Sequence, residues 1–117
     1  MNKFLLGLSF ILILCFSCTK KDQDPVSDID GNSYKAVGIG KQIWMAEDLK
    51  VTKFRNGDSI PRIQSVIDWE IAYQSYQPAC CYFDNDPSKG MLYNWYAQND
   101  PRGLAPEGWH VPTDNEW

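Results

Sequence analysis

The end of the chain constrains its fold most, because it concentrates aromatic side chains and finishes on a helix-start signal. Residues 91–117 hold three of the five tryptophans, two tyrosines and the only histidine, His110. Thr113 and Glu116 have the spacing of a capping box, in which a hydroxyl and a carboxylate bind the free backbone donors of a helix N-terminus. The sequence stops at Trp117, inside the first turn of that helix. We therefore expect a domain without its C-terminal part.

The composition is that of one globular domain rich in aromatic residues. The 117 residues are 44% hydrophobic and 14% aromatic, with a formal net charge of −4. Large aromatic side chains bury roughly 150–250 Å² each, so a core needs few aliphatic residues. Nucleic-acid phosphates are bound by clustered Lys and Arg, whereas the basic residues here are scattered apart from Lys20 and Lys21. We expect no nucleic-acid partner.

An apolar N-terminal segment predicts export. Lys3 is followed by an apolar run from Phe4 to Phe16, interrupted only by Gly7 and Ser9. A run of about 13 residues is too short for a bilayer core, which needs roughly 20, but it fits the hydrophobic part of a secretory signal. Residues 1–17 are therefore predicted to be a signal peptide.

Cys18 is the predicted lipidation site. The small residue Ser17 precedes it, and the chain turns polar immediately afterwards. This junction resembles a bacterial lipobox, although Cys15 and Phe16 depart from the usual pattern. The resemblance implies cleavage before Cys18 and acylation of its thiol and its new amine, since stable anchoring needs more than one acyl chain. The alternative is an ordinary signal peptide cleaved near Ser17.

Residues 18–27 are predicted to be a flexible tether, because they are polar, contain Pro25 and show no apolar periodicity. The acidic residues Asp22 and Asp24 resemble the surface-export signal of Bacteroidetes lipoproteins. The predicted location is therefore the bacterial cell envelope, as an outer-membrane lipoprotein exposed at the surface. Its predicted partner is the membrane, through the lipid on Cys18.

Turn signals in the following segment predict a meander of two hairpins. Asp30-Gly31 and the turn at residues 38–41 both accept the positive φ that tight turns need. Strands are predicted on either side of the second turn, with Tyr34 and Trp44 as core residues. Residues 92–97 fit a strand or a helix equally well on periodicity alone.

One amphipathic helix is predicted after residue 65. Ser65 is a suitable N-cap, because its hydroxyl can accept a hydrogen bond from a free backbone N–H. Val66, Trp69 and Tyr73 recur at helical spacing, so this face is expected to point towards the core.

Three segments taken in order resemble a known family. They are residues 28–34 with 42–50, residues 90–97, and residues 103–117. Together they resemble the Fibrobacter succinogenes major paralogous domain, a family common in predicted lipoproteins of Bacteroidetes and Fibrobacteres. Residues 28–117 are identified as the N-terminal part of that domain.

The same resemblance implies a fold. Residues 111–117 are also similar to a helix-opening segment of sulfatase-modifying domains, which have a C-type-lectin-like fold. The expected architecture is therefore α+β, a truncated C-type-lectin-like domain with a small irregular antiparallel sheet, short helices and long loops. The resemblance implies no activity for particular residues, and the catalytic cysteines of sulfatase-modifying domains lie beyond the part it covers.

Cys80 and Cys81 leave two interpretations open. Adjacent cysteines rarely bond to each other because the ring is strained. They are either buried free thiols or one half of a disulfide with a residue outside this sequence. No metal or cofactor is expected, because His110 lacks companion ligands and the Asp84–Ser88 turn fails the spacing of a calcium loop.

The remaining candidate site is aromatic. Tyr93, Trp95 and Trp109 are candidate glycan-binding residues, because flat rings stack on the faces of sugars. The competing interpretation places most of these rings in the core, since an exposed patch of several rings favours aggregation.

The leading functional hypothesis is a non-enzymatic, lipid-anchored envelope protein that binds glycans or mediates adhesion. The sequence contains no phosphate-binding glycine loop, zinc-binding helix motif or nucleophile elbow, so no catalytic residue is assigned. One alternative is an enzyme or enzyme accessory whose active residues lie in a missing C-terminal half. The other is a non-functional fragment.

Overall fold

The computed structural model describes residues 23–117, so the predicted signal peptide and Cys18 lie outside the described part. Within it the chain forms six short strands, two α-helices and two single-turn 3₁₀ helices. The strands are β1 Val26–Ser27, β2 Ser33–Tyr34, β3 Ala36–Ile39, β4 Gln42–Met45, β5 Cys80–Tyr82 and β6 Met91–Tyr93. The helices are α1 Val66–Gln74 and α2 Trp95–Gln98, with 3₁₀ turns at Phe83–Asn85 and Asp114–Glu116. The α+β class is confirmed.

The strands pair as three separate antiparallel hairpins, β1–β2, β3–β4 and β5–β6. The first hairpin is closed by Asp28, whose carboxylate accepts hydrogen bonds from Asn32 N at 2.9 Å and from the Tyr34 hydroxyl at 2.6 Å. Gly31 has φ +83°, which a side chain would strain. The predicted Asp-Gly turn is confirmed, and β1 begins inside the segment that was predicted to be a tether.

The second hairpin lies at the surface. Its register pairs Ala36 with Met45 and Ile39 with Gln42 across a turn at Gly40. Tyr34, just before this hairpin, is only 1% exposed, as predicted for a core residue. The prediction for Trp44 is wrong, because this half-buried ring is not part of the core cluster. It packs against Trp117 at the surface instead of entering the core.

The core lies under the long connection after β4 and between β5, β6 and α2. Its buried members come from loops as much as from regular elements. They are Val51, Phe54, Ile60, Cys80, Met91, Ala97 and Leu104. This small core fits the prediction of a domain with short elements and long loops.

Helix α1 begins after Ser65, whose Oγ accepts a hydrogen bond from Asp68 N, so the predicted N-cap is confirmed. The predicted inward face is wrong for two of its three residues, Val66 and Tyr73, whereas Trp69 is half-buried. Val66 is 85% exposed and Tyr73 is 52% exposed, whereas Ala72 is buried. Ala72 and the half-buried Trp69 lie three residues apart on one side of the helix, so the contacting face is rotated from the predicted one.

The ambiguous segment at residues 92–97 contains both a strand and a helix. β6 ends at Tyr93, and the Asn94 side chain accepts hydrogen bonds from Ala97 N at 2.9 Å and from Ala79 N at 3.0 Å. One buried amide therefore starts α2 and fixes it beside β5. Among residues 23–117, no helix has the length and apolarity needed to cross a membrane.

Candidate functional site: an aromatic cleft

A cleft of about 490 Å³ opens between the β3–β4 hairpin and the C-terminal segment. We call it the aromatic cleft, because the rings of Trp44, Trp109 and Trp117 line it. Its other lining residues are Gln42, Ile43, Met45, Ala105, Gly108, His110, Pro112 and Glu116. The volume falls in the range of small-molecule sites, about 300–1,000 Å³.

Two of the three rings touch each other. The ring centroids of Trp44 and Trp117 lie 5.0 Å apart with their planes tilted by 45°, so the two indoles form one bent apolar surface. Gln42 fixes one of them, because its Oε1 accepts a hydrogen bond of 3.2 Å from Trp44 Nε1. Gln42 Nε2 also donates to the backbone carbonyl of Glu116 at 3.4 Å, which links the hairpin to the C-terminal turn.

Glu116 organises the C-terminal side of the cleft. Its Oε2 accepts hydrogen bonds from Thr113 N at 2.8 Å and Thr113 Oγ1 at 2.9 Å, so the predicted capping box is present. Its Oε1 lies 2.9 Å from His110 Nε2. The backbone bond from Thr113, followed by the His110 contact, lowers the pKa of Glu116 to about 2. Glu116 is therefore a fixed negative charge, and both of its oxygens are occupied by donors.

Arg55 is hydrogen-bonded to two residues that line the cleft, Ala105 and Trp109. Its Nε donates to the carbonyl of Ala105 and its Nη2 to the carbonyl of Trp109, each at 2.6 Å. Gly103 lets the guanidinium approach, because a Cβ there would lie 3.2 Å from Arg55 and the glycine has φ +80°. The loop that carries Trp109 is thus bonded at two carbonyls to one side chain.

The chemistry available in the cleft is apolar contact with a polar rim. Indole faces supply flat apolar surface, and Gln42 and His110 supply hydrogen-bonding groups. The carboxylate of Glu116 lacks the second acidic group that glycoside hydrolysis would use, because no other Asp or Glu lines the cleft.

The three predicted glycan-binding residues do not lie at one site. Trp109 lines the aromatic cleft, whereas Trp95 lines an adjoining depression that shares Ala105, His110 and Pro112 with the cleft. Tyr93 packs against the core, and its hydroxyl donates to the carbonyl of Val51 at 2.8 Å. Burial raises the pKa of Tyr93 strongly. Its role is structural.

Sequence reasoning missed Trp44 as a cleft residue. Trp44 lies in a hairpin strand whose side chains alternate between two faces. The sequence pattern of such a strand is the same whether or not another layer of the fold covers the face that carries the tryptophan. The lack of a pairing strand beyond β4 could not be read from the residues. The contact between Trp44 and Trp117 was also missed, because the two residues lie far apart in the sequence.

The vicinal cysteines point to opposite sides of β5, as successive strand residues must. Cys80 is fully buried in the core and Cys81 is half-buried, and both thiols are free in the described structure. Burial raises the pKa of Cys80 to about 11 and also raises that of Cys81. Both are therefore poor nucleophiles.

The candidate acidic ligands after β5 are held in hydrogen bonds of their own turn. No group of three or more His, Cys, Asp or Glu side chains in residues 23–117 is placed to hold an ion. Asp84 instead accepts from Lys89 Nζ at 2.7 Å, and Asp86 accepts from Ser88. These bonds fit the predicted turn.

The fold and the cleft together define a small α+β domain with an aromatic surface cleft at its C-terminal side. Residues 37–117 match the family model of the Fibrobacter succinogenes major domain, and the chain belongs to this family. The match begins at Val37 and includes all residues that line the aromatic cleft. Neither a curated protein nor a solved structure matches the chain.

Proposed function

We propose that this protein is a lipid-anchored component of the bacterial cell envelope that binds glycans in the aromatic cleft. The observation that carries the proposal is the meeting of Trp44, Trp109 and Trp117 around one cleft with a polar rim. None of the three rings belongs to the buried core, since Trp44 and Trp109 are half-buried and Trp117 is 83% exposed. Apolar surface bordered by polar groups is typical of a binding site.

The chemistry of the cleft matches that of a sugar. Pyranose rings have flat faces of C–H groups bordered by hydroxyls, so they require an apolar plane beside hydrogen-bonding groups. The indole faces of Trp44 and Trp117 supply flat apolar surface of this kind. Gln42 and His110 lie at its edge and supply polar groups. Tryptophan provides a large contact at low entropic cost, since it has only two rotatable side-chain bonds.

The anchor follows from the N-terminal sequence. A diacylated or triacylated Cys18 would hold the protein stably at a membrane. Seven residues lie between Cys18 and Val26, and an extended chain over that span reaches at most roughly 30 Å. The domain would therefore work close to the membrane surface, which suits a role in adhesion or in retaining polysaccharide at the cell. A C-type-lectin-like fold is compatible with this role and stays a prediction, supported by the similarity of residues 111–117.

The proposal is tested by affinity electrophoresis of the full chain, purified in detergent, on gels that contain plant and bacterial polysaccharides. We expect retardation by at least one polymer. Trp109→Ala and Trp44→Ala should each weaken that retardation about tenfold, which corresponds to roughly 1.4 kcal/mol of lost ring contact.

Trp95→Ala is the matched control. It removes an exposed tryptophan (64%) that lies outside the aromatic cleft, so retardation should persist. Absence of retardation across the whole panel would refute the proposed glycan binding. Loss of retardation in Trp95→Ala, with retardation retained in Trp109→Ala, would show that the glycan binds outside the aromatic cleft.

A further inference from the structure

The lining of the aromatic cleft contains one carboxylate and no lysine or arginine. The only ionisable residues of this lining are His110 and Glu116. These two contact each other at 2.9 Å through His110 Nε2 and Glu116 Oε1, so Nδ1 is the ring nitrogen that can meet a ligand. A ligand in the cleft therefore meets one fixed negative charge and no free cation.

Three basic side chains of the described residues lie outside the cleft lining. The Arg55 guanidinium is bonded to the carbonyls of Ala105 and Trp109 and lines the adjoining depression. Lys41 lies in the turn before Gln42 but is not a lining residue. Arg102 is paired with Asp58 and Asp100 on another face. Among residues 23–117, no Lys or Arg belongs to the lining of the cleft.

Recognition of acidic sugars depends on such groups. Carboxylates and sulfates are bound by Arg or Lys, through bidentate or point-charge contacts. Bringing a uronate beside Glu116 would instead place two like charges close together in a partly dry site. Neutral sugars need only ring faces and hydroxyl partners, both of which the cleft offers.

We propose that the aromatic cleft takes neutral glycans and discriminates against glycans that carry carboxylate or sulfate groups. This inference rests on the proposed glycan-binding function. It names the class of ligand, and it assigns Glu116 two roles, shaping the C-terminal turn and excluding anions.

The test uses polymers that share a backbone and differ in charge. The full chain in detergent is run at low ionic strength on gels with hydroxyethylcellulose or carboxymethylcellulose, and with methyl-esterified or de-esterified polygalacturonan. We expect the neutral member of the bound pair to retard the protein at least fivefold more strongly than the acidic member. Equal or stronger retardation by the acidic member would overturn the inference and leave glycan binding standing. If no polysaccharide retards the protein, the proposed function fails and the inference fails with it.

The negative net charge of the whole protein also repels acidic polymers. Two variants distinguish the effect of the charge in the cleft from the effect of the net charge. Glu116→Gln removes the charge, and a glutamine can still serve in a capping box. Glu70→Gln removes one charge from the exposed surface of α1, far from the cleft lining. We expect Glu116→Gln to reduce the neutral-to-acidic ratio about threefold or more, and Glu70→Gln to leave it near the parental value. Equal effects of the two variants would contradict a role for the cleft in charge discrimination.

Discussion

At the scale of single residues, Asn94 is the clearest link between sequence and fold. It is the buried polar residue among the described ones, and its amide satisfies three backbone groups. The oxygen accepts from Ala79 N and Ala97 N, and the nitrogen donates to the carbonyl of Gln77 at 2.7 Å. Removal of this side chain would leave buried donors and an acceptor without partners.

We therefore expect Asn94→Ala to lower the free energy of unfolding by roughly 2–3 kcal/mol, since it removes a helix cap and unpairs buried backbone groups. Urea denaturation followed by tryptophan fluorescence measures the change. Asn99→Ala is the control, because Asn99 is exposed at the other end of α2 and makes one side-chain bond, to the carbonyl of Trp95. A loss no larger in Asn94→Ala than in Asn99→Ala would contradict this role.

Residue-scale features set by local chemistry were predictable from the sequence. The Ser65 cap, the Thr113–Glu116 capping box and the Asp-Gly turn each depend on groups within a few positions of one another, and all three are present. The Asn94 cap was missed because residues 92–97 fitted a strand or a helix equally well, and its other two bonds reach Gln77 and Ala79, far away in the sequence.

At the scale of elements, the C-terminal turn is the part of the cleft that depends on pH. Glu116 has a folded-state pKa near 2 and an ordinary value of 4.5, so it binds protons less readily in the folded protein. Its stabilising contribution is therefore fully present above about pH 4.5 and is lost as the pH falls towards 2. Protonation weakens the bonds from Thr113 and His110 that position Trp117.

We accordingly expect the near-ultraviolet circular dichroism of the Trp44–Trp117 pair to decrease between pH 4.5 and 2. Glu116→Gln provides the control, because its amide does not titrate and its signal should stay flat over that range apart from any change due to global unfolding. Far-ultraviolet dichroism reports global unfolding separately. The same acid transition in both proteins would show that Glu116 does not govern the turn.

Element boundaries were more predictable than element orientations. Helix α1 and the β3–β4 hairpin lie where turn and cap signals place them. The inward face of α1 and the surroundings of Trp44 could not be predicted from the sequence, because each depends on which other segment packs there. A helix that buries little more than Ala72 gives almost no hydrophobic periodicity to read.

At the scale of the whole molecule, the family assignment and the α+β class were both obtainable from sequence. The position of the aromatic cleft was not. It joins residues 42–45 to residues 105–117, and such long-range pairing leaves no mark in local pattern. Only Trp109 of the predicted glycan-binding set belongs to it.

The anchor is also a whole-molecule property. We expect the mature protein in a bacterial host with lipoprotein processing to begin at Cys18 and to carry acyl groups there, whereas Cys18→Ser should appear unacylated. Mass spectrometry of the N-terminal peptide and partition into detergent measure the two states. An unmodified Cys18 in the mature protein would refute the anchor while leaving the cleft untouched.

The central claim is that a glycan contacts the aromatic cleft, and the five tryptophans offer the most direct measurement. Each indole N–H gives its own nuclear magnetic resonance signal, assignable by Trp→Phe variants. On titration with oligosaccharide from the most retarding neutral polymer, we predict shifts for Trp44, Trp109 and Trp117, while Trp69 and Trp95 stay in place as internal controls. Unmoved cleft signals at saturating sugar, or shifts confined to Trp69 and Trp95, would contradict the claim.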